Sequence, residues 1–292
     1  MSQLTAIRLL YADEPAGPLL EAVRDLAEGR SNKATYQVEP ASFRQVPNAP
    51  FAYWVSEHIR SIFAEIAPFE CGNRTTKQGL ATADDFRFVR AIWETSKDHS
   101  NKRWSLFVKG GSFSPFYADI ILQLNWGQDG KELKSWAGTL YNNSHWSRII
   151  KNPDFYFRPG ITWPRRTRRF CPKLMPPGAI FSDGGQVAYN PGKELVTAAV
   201  LFSAISQTFI SLSLGTTSQD EGGTNPQFMA GMVGKVPFKL TDKIEMTVKP
   251  LAKSAWSTKR STDTANQTSH AFYAPALSPG QFGSRNKKAT TA

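Results

Sequence analysis

The sequence has few cysteines and histidines, and it lacks the short motifs by which common enzyme classes are recognised. Cys71 and Cys171 lie a hundred residues apart and outside any Cys-x-x-Cys or Cys/His cluster, which excludes a disulfide scaffold and argues against structural zinc. No Walker loop, Gly-x-Ser-x-Gly elbow or His-Glu-x-x-His motif occurs, and the four histidines are scattered. The pairs Gly110-Gly111 and Gly184-Gly185 lack the spacing of a nucleotide-binding loop, so we expect them in turns.

The sequence also lacks a targeting signal. Its first residues show no charged region followed by an apolar one, so we expect no signal peptide. One uncharged run, 195–214, contains seven Ser, Thr or Gln residues and has no flanking aromatic belt. This run predicts a buried helix over 196–214, with a membrane span as the less favoured alternative. We therefore expect a cytoplasmic protein.

Acidic residues are scarce in two parts of the chain. Residues 101–200 contain 14 Lys/Arg and six Asp/Glu, and residues 251–292 contain six and one, whereas the first hundred residues contain 11 and 13. The net charge of +11 is therefore concentrated, which indicates a basic face on a nearly neutral body. Such a face is typical of proteins that bind a phosphate backbone. A solubilising surface without a partner is the simpler alternative.

The strongest local signal is the stretch 155–182, which holds six basic side chains and no acidic one. Its centre, 161–169, reads ITWPRRTRR. Nearby prolines restrict the backbone, so we expect a shaped loop, and arginine can bind a phosphate or the edge of guanine with two parallel hydrogen bonds. Trp163, which leads into the run, is the aromatic residue that we expect to stack on a base. The predicted DNA contacts in this stretch are Arg158, Trp163, Arg165, Arg166, Arg168 and Arg169.

The apolar pattern predicts an α+β fold with helices at both ends. Apolar residues recur at helical spacing in 19–27 and 51–66. A C-terminal helical part follows from Ile244, and Pro250 is expected to break it or to begin a new helix. Short β-rich runs between turns fill the middle, at 86–93, Trp104–Val108, 120–126 and Ala179–Phe181.

Two alternatives remain open from the residues alone. Asp119, Glu132 and Lys134 could form a metal-dependent nuclease site. An Asp on one strand and a Glu-x-Lys motif on an adjacent strand can hold a divalent ion that activates water. In that interpretation Asp129-Gly130 is a hairpin turn that places Glu132 and Lys134 on one exposed strand face. The other alternative is a binder of single strands or RNA, which would use the aromatics that interleave with the basic residues.

Several blocks, taken in order over residues 40 to 276, resemble the target-recognition half of large adenine-specific DNA methyltransferases. The closest type is the PglX-like enzyme of BREX phage-defence systems, with type IIG restriction-modification enzymes as relatives. One departure is Ala83, which stands where such enzymes often have Gly. The blocks are SFRQVP (42–47), PFAYWVS (50–56), KQGLATADDFRFVR (77–90), KGG (109–111) with Tyr117, NW (125–126), YFRPGITWP (156–164) and SHAF (269–272).

The resemblance implies a division of labour. The family's catalytic half carries a Gly-rich cofactor loop and an Asn-Pro-Pro-aromatic motif, and neither is found here, since the runs at 152–155 and 225–228 lack the second proline. We therefore expect a chain that binds double-stranded DNA and holds no cofactor, while a separate methyltransferase catalytic chain binds S-adenosylmethionine. Further DNA contacts are expected at Lys77, Gln78, Thr82 and Lys109.

The pattern along the chain and the resemblance together suggest how the chain is divided. We expect an N-terminal helix and linker at 1–48 and a target-recognition domain of mixed strands at 49–240. A C-terminal helical segment at 241–276 and a disordered tail at 277–292 would complete the chain.

Overall fold

The structure is a computed structural model that describes residues 3–10, 12–95, 103–140, 142, 144–214 and 226–273. Helices and short strands mix within these ranges, which confirms the α+β class. The predicted tail at 277–292 lies outside the described residues. The strands are β1 Leu4–Ile7, β2 Thr35–Val38, β3 Thr75–Lys77, β4 Val89–Ala91, β5 Trp104–Val108, β6 Leu122–Asn125, β7 Gly160–Pro164, β8 Lys173–Met175, β9 Ala179–Phe181 and β10 Gly185–Tyr189. The helices are α1 Ala16–Ala27, α2 Glu57–Glu65, α3 Asp85–Phe88, α4 Gly127–Thr139, α5 Glu194–Phe202, α6 Ala204–Leu214, α7 Ala230–Val233 and α8 Asp242–Thr262.

The strands form three sheets. β1 and β2 make an antiparallel pair near the N-terminus, with Leu4 opposite Val38. A four-stranded antiparallel sheet has the order β3-β10-β7-β8, and a second has the order β4-β6-β5-β9, in which β5 and β9 run parallel. The strand runs predicted at Trp104–Val108 and Ala179–Phe181 are confirmed as β5 and β9.

The sheet β3-β10-β7-β8 lies between two apolar cores, so its central strands are buried on both faces. Every residue of β7 and β10 is buried. Val187 and Tyr189 face one core, together with β5, β6, β9 and α4, whereas Ala188 faces the other core, which includes residues of α5, α6 and α7. Two of the buried positions are polar, Thr162 in β7 and Gln186 in β10, so neither strand reads as a continuous apolar run of the kind that usually marks a strand buried on both faces.

The uncharged run at 195–214 forms two helices where one was predicted. Ser203 has extended backbone angles, and its Oγ accepts a hydrogen bond from the backbone N–H of Ser206 at 3.3 Å, so it ends α5 and caps α6. Among the described residues no single helix is long and apolar enough to cross a membrane. Taken together, α5 and α6 have the length and apolar composition of a span, but they are bent by 68° relative to each other.

Two further helix predictions need correction. The helix expected over 51–66 begins only at Glu57, because Ser56 caps it through the N–H of Ile59. Helix α8 continues through Pro250, where a break was expected. The carbonyl that loses its partner there belongs to Met246, which is 78% exposed, so water can hydrate it.

The hairpin turn expected at Asp129-Gly130 is also wrong. Gln128, Asp129 and Gly130 do adopt left-handed backbone angles, but they form the irregular start of helix α4, and its regular part follows directly. Leu133 and Ala137 of this helix are both buried, and their spacing of four places them on one helical face. Glu132 and Lys134 therefore lie on a helix and not on a strand.

Candidate nucleic-acid interface

The predicted arginine run forms a loop that is anchored at both ends. We call residues 165–169 the arginine loop; it follows the buried strand β7. The backbone N–H of Arg165 donates to Gly184 O at 2.8 Å, and its carbonyl accepts from the N–H of Phe228 at 2.7 Å. At the far end, Gln207 Nε2 donates to Phe170 O at 2.9 Å. The loop is therefore held by hydrogen bonds to its main chain that do not depend on its arginine side chains.

The four arginines of the loop differ in how far their side chains are engaged. Arg165 forms an ion pair with Asp183 at 3.2 Å and donates to Gln227 Oε1 at 3.3 Å. Arg166, Arg168 and Arg169 are exposed, and the guanidinium of Arg169 lies 6.0 Å from the ring centre of Phe202. Exposed guanidinium groups on an anchored backbone are suited to phosphate contacts. Their N–H donors are accessible from solvent and can form two parallel hydrogen bonds to phosphate oxygens.

Trp163 does not belong to the exposed surface, and the expectation that it stacks on a base is wrong in this structure. Its side chain is 0% exposed, and its indole Nε1 donates to Phe228 O at 2.8 Å. It packs beside Phe170, with ring centres 5.2 Å apart. Because β7 alternates its residues between the two cores, an aromatic residue just before the loop falls into one of them.

Arg158 and Lys77 come together on one aromatic ring. The Arg158 guanidinium lies 5.0 Å and the Lys77 ammonium 5.1 Å from the ring centre of Phe155. Arg158 is exposed, whereas Lys77 is half-buried and pairs with Glu70 at 3.4 Å. The neighbouring residue, Gln78, is half-buried, and its backbone carbonyl accepts a hydrogen bond from Asn152 Nδ2 at 2.8 Å.

Lys109 and Thr82 meet at Asp85. The Lys109 ammonium pairs with one carboxylate oxygen of Asp85, and the Thr82 hydroxyl donates to the other. Partial burial raises the pKa of Asp85, but the hydrogen bonds from Lys109 and Thr82 outweigh it and hold the pKa below its ordinary value. Thr82 is 4% exposed. These residues therefore order their own loop, and a DNA contact by Thr82 would first require this cluster to open.

The three residues of the alternative nuclease site each contact a different partner. Asp119 accepts from His270 Nδ1 at 3.0 Å, and Lys134 pairs with Asp129 at 2.6 Å. Glu132 accepts from Asn125 Nδ2 at 2.8 Å, and no contact joins it to Asp119 among the described residues. Across the part of the chain that the structure describes, no group of three or more His, Cys, Asp or Glu could hold a metal ion. The geometry therefore gives no support to metal-dependent cleavage.

The glycine pairs pack against each other and do not form a phosphate-binding loop. A Cβ at Gly110 would lie 2.4 Å from Gly184 O, and a Cβ at Gly185 would lie 2.6 Å from Gly110 N. The backbones after β5 and before β10 therefore approach more closely than any other residue type allows. No space is left between them for the phosphates of a cofactor.

Comparison with known proteins points to DNA modification enzymes. The chain is 23% identical over 226 residues to the adenine-specific methyltransferase BrxX of Escherichia coli O9:H4 (strain HS); the match covers 74% of this chain and 17% of that protein. The structure is also similar to the type IIL restriction-modification enzyme MmeI, solved in complex with DNA, with a TM-score of 0.41 and 13% identity over 70% of this chain and 30% of MmeI. No family model matches the chain.

The chain is thus related in sequence to an adenine-specific methyltransferase, and it spans about a sixth of that protein's length.

Proposed function

We propose that this chain is a double-stranded DNA recognition module of an adenine-specific DNA methyltransferase of the phage-defence or restriction-modification type. In this proposal a separate catalytic domain or chain binds S-adenosylmethionine and transfers the methyl group. The sequence relationship to BrxX supports the methyltransferase context. The observation that carries DNA binding is the anchored arginine loop, in which Arg166, Arg168 and Arg169 are exposed.

The geometry suits the reading half of such an enzyme. Methylation of a base within a duplex requires the base to leave the stack, and the choice of base requires contacts to its neighbours through a groove. Phosphate contacts fix the register of the protein on the duplex, and a few base-edge contacts specify the sequence. Arginine serves both roles, because its fork matches phosphate oxygens and the O6/N7 edge of guanine. The loop thus needs no catalytic group of its own.

The salt dependence of duplex binding tests this function. We expect the logarithm of the association constant to fall with the logarithm of the salt concentration, with a slope of about −0.9 for each phosphate contacted. The triple variant Arg166→Gln, Arg168→Gln, Arg169→Gln should bind more weakly and reduce the magnitude of this slope by roughly 2 to 3. Fluorescence anisotropy with a labelled duplex at several salt concentrations measures both quantities.

A triple variant on α8, in which Lys243, Lys249 and Lys253 become Gln, removes the same charge from exposed positions outside the loop. It should leave the slope nearly unchanged. Binding that ignores salt, preference for single strands, or equal losses in the two triple variants would contradict the proposal. Methyl transfer from S-adenosylmethionine by the purified chain alone would contradict the proposed division of labour.

A further inference from the structure

A groove of about 880 Å³ lies beside the arginine loop. Its lining comes from the loop itself, from α6, from the residues just before α2, and from Arg8, which directly follows β1. The N-terminal strand pair therefore contributes to the same concave surface as the loop, although it is separated from the loop by more than 150 positions in the sequence.

The groove has one sign of charge. Arg8, Arg168 and Arg169 line it, and none of its described lining residues is Asp or Glu. Another cavity, of about 270 Å³, shows the contrast, since its lining combines Lys109 with three carboxylates, those of Asp84, Asp85 and Asp183. A concave surface lined by cations without counter-charges concentrates the positive potential and attracts a polyanion.

Arg8 is held ready for a ligand. Its guanidinium lies 4.2 Å from the ring centre of Trp54, and its backbone N–H donates to Ala34 O at 2.8 Å. A guanidinium over the face of an indole is attracted by the ring, and this contact uses none of its hydrogen-bond donors. A cation that is already positioned loses less side-chain entropy when it binds a phosphate.

The rest of the lining suits a sugar–phosphate strand. Ser56 and Ser211 bring hydroxyl groups to the groove, and neutral hydroxyls commonly contact phosphate oxygens. Apolar side chains such as Ile59 and Leu212 supply the remaining surface, against which deoxyribose can pack. The volume exceeds what one phosphate needs, so a short run of backbone fits better than a single anion.

We infer that this groove binds the sugar–phosphate backbone of one DNA strand and that Arg8, positioned by Trp54, is a phosphate contact. This inference rests on the proposed function and extends the interface from the arginine loop to the N-terminal strand pair. Arg8 precedes all the blocks that carry the family resemblance. Trp54 is a positioning residue, because it acts through the guanidinium that it holds.

A matched pair of single variants tests the role of Arg8 in the full chain. Arg24 on α1 is exposed and does not line the groove, so Arg8→Gln and Arg24→Gln remove the same charge from two places. We expect Arg8→Gln to weaken binding to a labelled duplex roughly threefold to tenfold and to reduce the magnitude of the salt slope by about 0.9, whatever the duplex sequence. Arg24→Gln should leave both values near those of the wild type.

Two further variants separate binding from folding. Arg8→Lys keeps the charge and should restore most of the salt slope, but only part of the affinity, since an ammonium lacks the planar fork. Trp54→Leu should lower affinity while the slope stays close to that of the wild type, because the charge remains. Thermal unfolding of each variant checks that the fold is intact.

The outcomes distinguish this inference from the proposed function. If the loop triple variant loses duplex binding but Arg8→Gln behaves like Arg24→Gln, the groove inference is overturned and the proposed function stands. If the wild type does not bind duplex DNA at all, both are overturned. Arg8-dependent binding to anionic lipid vesicles without binding to DNA would likewise overturn both.

Discussion

Lys173 illustrates how the fold changes the role of a residue that the sequence groups with the basic stretch. It is 5% exposed, and its ammonium donates to Gly110 O at 2.6 Å, so it belongs to the interior and not to the basic surface. Burial lowers the pKa of Lys173 from its ordinary value because the charged form loses hydration. Of the six basic side chains in 155–182, this one is a structural residue.

The pH dependence of stability should reveal this burial. Because the pKa of Lys173 is lower in the folded than in the unfolded protein, the unfolded state binds more protons between the two values. The free energy of unfolding should therefore rise with pH in the alkaline range, up to the unfolded pKa of about 10.4, and fall as pH drops through the folded pKa. Lys173→Met should remove this contribution. Urea unfolding of both proteins between pH 7 and 10 measures the difference, and parallel curves would contradict the prediction.

Ala83 carries a backbone conformation that favours glycine. Its φ is 58°, in the left-handed region. The methyltransferases that this sequence resembles often have Gly at this position. Ala83→Gly should remove steric strain of about 1–2 kcal/mol, offset in part by the greater freedom of Gly in the unfolded chain, so we expect a net gain of up to about 1 kcal/mol. Ala137→Gly, in the regular part of α4, should instead cost at least about 1 kcal/mol, because Gly lowers helix propensity and the buried methyl group is lost. Chemical denaturation measures both, and a loss at both positions would contradict the strain at Ala83.

At the scale of elements, the two four-stranded sheets meet where β10 begins. Gly185 at the start of β10 touches Gly110 in the loop after β5, and the N–H of Ser182 donates to Val108 O at 2.9 Å. Arg165 N also donates to the neighbouring Gly184. The close approach of these backbones thus sets the position at which the arginine loop leaves the sheet.

A methyl group at this junction should be poorly tolerated. The Cβ of Gly185→Ala would lie 2.6 Å from Gly110 N and 2.8 Å from Val108 O, so the sheets must shift, at a cost of about 1–3 kcal/mol. Gly231→Ala in helix α7 is the matched control, since nothing lies within 4 Å of its Cβ and Ala favours a helix. Thermal unfolding compares the two variants, and equal stability of Gly185→Ala and the wild type would refute the close contact.

For the whole molecule, the C-terminal part of the chain is held to the body by the packing of α8 on α5 and by several side-chain contacts. Asp119 accepts from the backbone N–H of His270 at 2.8 Å and from its ring, and Lys193 pairs with Glu245 at 2.7 Å. Tyr117 and Trp256 meet edge to face, with ring centres 5.8 Å apart. The block at 269–272 that contributes to the family resemblance is thus placed by a carboxylate 150 residues earlier in the chain.

Removal of that carboxylate should loosen the C-terminal segment. Asp119→Ala leaves the N–H of His270 without its acceptor, and we expect a loss of about 1–3 kcal/mol, or a fall of several degrees in Tm. Asp154→Ala removes the same charge at an exposed position and should change Tm little. Faster proteolysis after Thr262 in the Asp119 variant would support the expected loosening, whereas equal melting of the two variants would contradict it.

The sequence predicted the parts of this molecule that depend on local patterns. The class of fold, two strands with their bounds, and the exposure of Arg166, Arg168 and Arg169 follow from periodicity and charge. The errors arose where tertiary context decides. Trp163 lies next to the arginines in sequence, but the alternation of β7 sends it into the core.

Arg8 could not be predicted for the same reason. A single arginine at the end of a short strand carries no pattern of its own, and its relation to Arg168 exists only because the N-terminal strand pair packs near α2. The burial of Lys173 was likewise hidden, since its sequence neighbours include the exposed arginines. Charge counts along the chain therefore indicated an exposed basic loop. They did not show that Arg8 lies near this loop or that Lys173 is buried.

The way in which the arginine loop is held determines which of its side chains can be replaced in related chains. Because hydrogen bonds to the main chain of Arg165 and Phe170 hold both ends, the exposed side chains of Arg166, Arg168 and Arg169 can be exchanged without altering the interior, whereas Thr167 between them is buried. Under the proposed function, related chains can therefore change their recognition sequence by replacing these three exposed residues, while the supporting strands and helices stay as they are.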